Sequence, residues 1–151
     1  MELLDTLSLA TKNRLINQYL NDEEFWRIRF EKDYPSDFDK VNKLKQRSWK
    51  DFSLLLIKYI DLSYGHYEEA MYYAAEGGHR DLVDFFISKG ANNWNMAMYY
   101  AAERGHRDLV DFFISKGANS LKLAMDYAEK AGHRDLVDFL ISKGAKDIFK
   151  I

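Results

Sequence analysis

Cysteine is absent from the 151 residues. That excludes disulfides, thiolate metal sites and cysteine nucleophiles, and it fits a reducing compartment. Proline occurs once, at Pro35, and glycine only eight times, so few positions force a break in helical structure. Long apolar runs are missing as well. The longest aliphatic stretch, Leu-Leu-Leu-Ile at residues 54–57, is far below the ~20 residues of a membrane-spanning helix. The opening MELLDTLSLA lacks the basic stretch and small-residue cleavage site of a secretory signal. An intracellular protein without membrane partners is therefore expected. Neither sign of charge prevails: 22 Lys and Arg face 24 Asp and Glu, a net charge of −2. A dedicated polyanion binder would carry a marked basic excess.

What is present is a repeat. AMYYAAEGGHRDLVDFFISKGAN at residues 70–92 returns at 97–119 with one change in 23 positions, Gly77 against Arg104. A third copy at 124–146 differs from the second at six positions. His79, His106 and His133 are spaced by 27 residues each time. Each copy reads as two short helices. The first carries Ala70, Met71, Tyr73 and Ala74 on one side and stops at Gly78, a residue suited to the left-handed position after a helix. The second starts near Arg80 and Asp81, where an acid suits the positive helix end. Its Leu82, Val83, Phe86 and Ile87 recur at helical spacing as a core stripe, joined by Phe85 and its equivalents. Lys89 and Gly90 close it. Helices shorter than about 12–15 residues are marginal alone in water, so the copies must bury their faces against one another. The fold class is all-α, a helical solenoid.

The pattern Ala-Ala-x-x-Gly-His, then Leu-Val-x-Phe-Phe-Ile-x-x-Gly-Ala, resembles the ankyrin repeat across residues 70–145. That family's copies typically run 33 residues, six more than here. The missing part corresponds to the projecting β-turn finger, so the resemblance implies stacked helix pairs without β-hairpin fingers. The family's opening Thr-Pro-Leu-His is replaced by Glu69-Ala70-Met71-Tyr72 and its counterparts in the later copies. Short repeats with a linker such as Gly-Ala-Asn-Asn-Trp, residues 90–94, are similar to those of giant DNA viruses. The resemblance implies a non-catalytic protein-interaction module whose partner is another protein, in a host cytoplasm or nucleus if the source is viral.

Residues 1–65 differ in texture. Asn21-Asp22-Glu23-Glu24 before Phe25-Trp26 predicts a helix start, with Glu24 closing a capping box on Asn21. Phe25, Trp26, Ile28 and Phe30 supply an apolar helix that Pro35 limits. The stretch from Leu3 to Trp26 resembles the later part of an F-box, which implies the Skp1 adaptor as a partner and a substrate-recognition role in a ubiquitin ligase. DFSLLLIKYI at residues 51–60 overlays the second helix of a repeat, with Phe52, Leu55, Leu56 and Ile57 matching Leu82, Phe85, Phe86 and Ile87. The expected organisation is an F-box-like helical segment at 1–50 and a capping half-repeat at 51–65. Three repeats follow at 66–92, 93–119 and 120–146, with a short tail to 151. No Gly/Ser/Pro-rich linker separates these parts, so a single rigid body is expected.

The residues argue against chemistry. His79, His106 and His133 hold one position in successive repeats, and neighbouring helices lie roughly 8–10 Å apart, whereas zinc ligands converge to about 2 Å from one centre. A structural hydrogen bond at the helix turn is the expected role, and no metal is implied. Asp81, Asp84 and their equivalents repeat in like environments, where an acid/base pair needs unlike ones. Gly77-Gly78 is a turn, not a phosphate loop, and no Gly-x-Ser-x-Gly occurs. No catalytic, cofactor or metal residues are assigned. Lys40, Lys43, Lys45, Arg47 and Lys50 surround Trp49 and form the alternative, a nucleic-acid contact. Residues 1–65 nonetheless balance 11 basic against 11 acidic side chains, and a solvated face is the favoured reading.

Positions that differ between near-identical copies are those the shared fold leaves free. They are Glu68/Asn95/Lys122, Glu69/Met96/Leu123, Tyr72/Tyr99/Asp126, Ala75/Ala102/Glu129 and Glu76/Glu103/Lys130. At about 100° per residue they fall in one arc of roughly 120°, opposite the fixed residues. This predicts an outer, partner-facing side, which the resemblance places on the concave surface. Tyr72 and Tyr99 are expected to lie side by side there, extended by Trp94. Glu76, Glu103, Asp126 and Lys130 complete the partner-binding set. The polar third copy equally suits a terminal repeat. The apolar tail residues Ile148, Phe149 and Ile151 are the second choice of surface.

Overall fold

The computed structural model describes residues 8–146. The readings placed on Leu3 and on Ile148, Phe149 and Ile151 lie outside the described residues. Within them every regular element is an α-helix and no strand occurs. The chain divides into two compact units, Met1–Ile57 and Lys58–Ile151.

The first unit holds α1 (Leu9–Leu20), α2 (Glu23–Asp33), α3 (Phe38–Leu44) and the start of α4 (Trp49–Leu62). Ser8 caps α1 by accepting from the Thr11 amide at 3.3 Å. The cap of α2 is Asp22, which accepts from the Glu24 amide at 2.9 Å, and not Asn21 as the sequence suggested. Asn21 ends α1, where its own amide bonds to Gln18 and Tyr19 carbonyls, so the first residue free to turn extended is Asp22. On α2 Trp26 and Phe30, one turn apart, are buried, whereas Ile28 faces outward at 52% exposure. Around Phe30 gather Tyr34, Trp49 and Phe52, with ring centroids 5.1–5.7 Å away. Phe38 stacks flat on Trp49 at 5.2 Å. Large rings supply most of this small core.

The second unit carries the repeats. First helices are α5 (Tyr67–Glu76), α7 (Trp94–Glu103) and α9 (Leu121–Lys130). Second helices are α6 (Arg80–Ser88), α8 (Arg107–Lys116) and α10 (Arg134–Ser142). Alanine explains the close lateral packing of α5, α7 and α9: Ala70, Ala74, Ala75, Ala97, Ala101, Ala102, Ala124 and Ala128 are all fully buried. Beneath them lie Met71, Met98, Met125, Leu82, Val83, Phe86, Val110, Phe113 and Leu140. The Phe85 series is not uniformly core. Phe85 is buried, but Phe112 and Phe139 are half-buried, and Arg80 and Arg107 of the preceding repeats lie over their rings at 3.5 and 4.4 Å. Such a cation on a ring face contributes about 1 kcal/mol.

Polar side chains tie each repeat to the next. His106 Nε2 lies 2.8 Å from the Glu76 carbonyl oxygen, and His133 Nε2 lies 3.0 Å from that of Glu103. Each ring thus meets the last residue of the previous first helix, so the expected histidine hydrogen bond spans repeats. The turn leaves room for it. Gly78 and Gly105 have φ of +74° and +77°, and a Cβ on either would come within 2.9 Å of the incoming imidazole. At the other helix end, Glu68 accepts from the Asn92 and Asn93 amides, and Asn95 Oδ1 accepts from those of Asn119 and Ser120. Lys143 adds a 3.4 Å ion pair to Asp111 between second helices.

Candidate functional site

The face formed by α5, α7 and α9 carries all seven residues singled out from the sequence, but not arranged as expected. Tyr72 does not neighbour Tyr99. It stacks on Tyr100 of the next repeat, with centroids 5.5 Å apart and planes 8° from parallel. Tyr99 stacks likewise on Tyr127, at 5.8 Å and 11°. The row starts at Tyr59, stacked on Tyr73 at 6.3 Å. A tyrosine of one repeat thus meets the adjacent tyrosine position of the next. In this seam Tyr99 is only 9% exposed and Tyr72 is half-buried, so neither is a freely presented ring. Trp94, the first residue of α7, is half-buried too.

The other four are polar. Glu76 is half-buried and pairs with Arg104 at 2.6 Å. Asp126 pairs with Lys122 at 2.6 Å. Glu103 and Lys130 are exposed, and Glu103 makes no side-chain hydrogen bond or ion pair among the described residues.

This geometry corrects the reading of the variable positions. Glu68 and Asn95 hold the following repeat's linker. Tyr72 and Tyr99 stack on the following repeat. Ala75 and Ala102 are fully buried, while Glu129 at the same position in copy three is exposed. In copies one and two most of these positions face the next repeat. The Glu69/Met96/Leu123 position escapes such duty, as does the Glu103 side chain, and Leu123 is 44% exposed.

Electrostatics follow the packing. Burial pushes the Tyr72 phenol above its ordinary pKa, helped by the Glu68 and Glu69 carboxylates against a hydrogen bond with Asn93. Tyr100 is raised for the same reason, burial first, with Tyr73, Glu76, Tyr127 and Glu103 adding negative character around its hydroxyl.

Two hollows open on this face. One of about 140 Å³ is lined by Met96, Tyr99, Tyr100, Glu103 and Tyr127. The other, about 410 Å³ and more open, is lined by Leu123, Asp126, Tyr127, Glu129 and Lys130. They adjoin at Tyr127, which is 39% exposed. Four of the seven sequence-selected residues line them: Tyr99, Glu103, Asp126 and Lys130. Sequence reasoning missed Tyr127 and Tyr100, while Met96 and Leu123 stood in its variable arc but outside its partner-binding set. The Tyr73/Tyr100/Tyr127 series was placed on the buried face because it is the same in every copy, yet each side of a stacking seam needs its own tyrosine. The doublet Tyr-Tyr in the first two copies was the available signal.

Elsewhere the surface offers less. Trp49, the aromatic of the basic run, is 5% exposed beneath Phe38 and Phe30, so it is unavailable for stacking on a base. Lys45 bonds to the Arg47 carbonyl and Lys50 to Asn21 Oδ1. A hollow of about 320 Å³ in the first unit is lined by Leu20, Phe25, Trp26, Phe30, Ser53 and Leu56 among others. The Ser53 hydroxyl is buried without a hydrogen-bond partner. Among the described residues no cluster of three or more His, Asp or Glu could hold a metal ion, and no helix is long and apolar enough to cross a membrane.

The family model for ankyrin repeats matches residues 48–121 and 71–150, in three copies. The chain belongs to the ankyrin-repeat family. No curated protein matches it significantly. The family match starts at residue 48, one residue before α4, and runs through all three repeats of the second unit. Ankyrin repeats are protein-interaction modules and typically non-catalytic, and that coarse function holds for this ankyrin-repeat chain.

Proposed function

We propose that the first-helix face of the repeats binds another protein, with Tyr127 at the centre of the contact. The observation that carries this reading is the pair of hollows adjoining at Tyr127, flanked by the exposed Leu123. A ring and a leucine left open beside Met96 and Tyr100 make an apolar patch with a charged rim, the composition of an interface core. Tyr72, Glu76 and Trp94 extend the face toward the first repeat, and Glu103, Asp126 and Lys130 supply the rim. Tyrosine suits such work because it brings a rigid ring and a hydroxyl at a low ordering cost.

The test is a comparison of variants. Leu123→Ala with Tyr127→Ala should weaken partner binding by about 2 kcal/mol or more, as truncation of interface anchors does. A matched change outside the face, Lys43, Lys45 and Arg47 to Gln, should leave it unaltered. Affinity purification with quantitative mass spectrometry reads both. A partner retained by the first variant and lost by the second would overturn the reading.

The F-box-like sequence of the first unit gives the reading a longer form, a viral adaptor that couples a captured host protein to a ubiquitin ligase in host cytoplasm or nucleus. Its support is the sequence resemblance and the open apolar residues Leu9, Ile16, Tyr19 and Leu20 of α1. Co-elution with Skp1 on gel filtration decides it.

A further inference from the structure

The hollow of about 320 Å³ in the first unit has Trp26 and Phe30 of α2 and Ser53 and Leu56 of α4 in its lining. Ser53 is the anomaly there. The core side of α4 runs Trp49, Phe52, Ser53 and Leu56, all buried, and Ser53 is its one small polar member. The sequence overlay of residues 51–60 on the repeats sets Ser53 opposite Val83, Val110 and Val137. A side chain of two methyl groups thus gives way to one with a hydroxyl. That hydroxyl is sealed from solvent and has no hydrogen-bond partner. The serines at the ends of other helices behave differently. Ser63, Ser88, Ser115 and Ser142 each donate to the carbonyl three residues back, at 2.5–3.1 Å. Buried polar groups are nearly always bonded, and one that is not costs stability that valine would not.

We propose that this hollow binds a small, neutral, largely apolar molecule that carries one hydrogen-bonding group, seated against Ser53. Its volume stands at the low end of small-molecule sites, roughly 300–1,000 Å³, and suits a ligand of one or two rings. Phe25, Trp26, Phe30 and Leu56 supply the apolar surface, and removing such surface from water drives entry. Pairing within the lining sets the charge. Arg29 and Asp33, its two charged residues, bond to each other at 2.6 Å. A charged occupant would lose its water shell and find no free counter-charge in the lining to replace it. The serine hydroxyl both donates and accepts and turns among staggered χ1 positions, so it can meet an alcohol, a phenol or a carbonyl placed against it. Every lining residue belongs to the first unit, so the inference does not depend on the face of the repeats.

Titration of the nitrogen-15-labelled full chain with p-cresol, p-xylene and p-toluate tests the inference by NMR. The first two are near-isosteric and differ in the hydroxyl, and the third adds a charge. Trp26 reports directly, since its indole N–H donates to the Leu20 carbonyl at 2.9 Å and both residues line the hollow. Its indole resonance should shift with p-cresol and p-xylene, while that of Trp94 in the second unit stays in place. Ser53→Ala keeps the helix, because alanine is the best helix former. In that variant the affinity ratio of p-cresol to p-xylene should fall about fivefold, the scale of one neutral hydrogen bond. An unchanged ratio would overturn the role of Ser53 and with it the hydrogen-bonding group of the ligand. If p-toluate binds as well as p-cresol, the neutral class falls. If none of the three moves the Trp26 resonance at millimolar concentration, the hollow holds only water and the proposal falls entirely.

Discussion

Single side chains explain why two near-identical copies differ where they do. Gly77 is the one change between copies one and two, and a Cβ there would lie 2.7 Å from both the His79 ring and the Tyr59 hydroxyl. The same position in copy two is Arg104, which reaches back to Glu76. Tyr59 packs against Tyr73 and His79 of the first copy, so that copy needs the glycine. The glycines after the turn make the same point in a testable way. Gly105 and Gly132 both have positive φ, +77° and +83°, so an alanine at either carries about 1–2 kcal/mol of left-handed strain. At Gly105 the new Cβ would also meet His133 at 2.8 Å, whereas at Gly132 it meets open space. Gly105→Ala must therefore displace His133 from the Glu103 carbonyl as well, adding about 1 kcal/mol for the hydrogen bond. Urea denaturation should show a larger loss for Gly105→Ala than for Gly132→Ala. Equal losses would mean the histidine contact contributes nothing.

Helix boundaries show which local signals a sequence displays and which it hides. The starts near Arg80 and its equivalents, and the stops at Gly78 and Gly90, were legible because their causes lie within a few residues. The start of α4 was not. Its first two amides, Trp49 and Lys50, donate to Glu23 at 2.8 and 2.9 Å, while Ser48 Oγ accepts from Asp51. Two of these three bonds go to a residue 26 positions before Trp49, which no local motif announces. Desolvation works to raise the Glu23 pKa, but the Lys50 and Trp49 amides, the Ser48 hydroxyl and the Lys45 charge together hold it below the usual 4.5. A lowered carboxylate stabilises the fold above the unfolded pKa and loses that contribution as pH falls through the folded value. Glu23→Ala should cost the first unit about 1 kcal/mol near neutral pH, the usual value of a lost cap. The difference from wild type should shrink below pH 4.5. Amide exchange at Trp49 and Lys50 reads it directly. Unchanged protection in the variant would remove Glu23 from the cap.

Across the repeat array, the fold was legible and the face only partly so, and one physical fact accounts for both. Repetition displays periodicity openly, so helix pairs and the lack of strands followed from a 27-residue spacing. Variation between copies, however, mixes what a partner requires with what position in the array requires. Ala75, Ala102 and Glu129 illustrate the mixture: the first two are fully buried against the following repeat and the third is exposed. Polar residues at this position would suit a repeat whose outer side faces water. This can be tested by exchanging the signals. Ala102→Glu places a carboxylate where α7 meets α9, and an unpaired buried charge costs several kcal/mol. In a nearest-neighbour array that cost falls on one junction. The third helix pair, α9 and α10, should lose its protection from amide exchange while α5 and α6 keep theirs, and urea denaturation should split into two steps. Glu129→Ala, on the exposed end, should shift stability by no more than about 0.5 kcal/mol. If Ala102→Glu leaves a single cooperative transition at the wild-type midpoint, the seam between copies two and three is looser than the packing implies. The terminal explanation of copy three would then give way to a binding one.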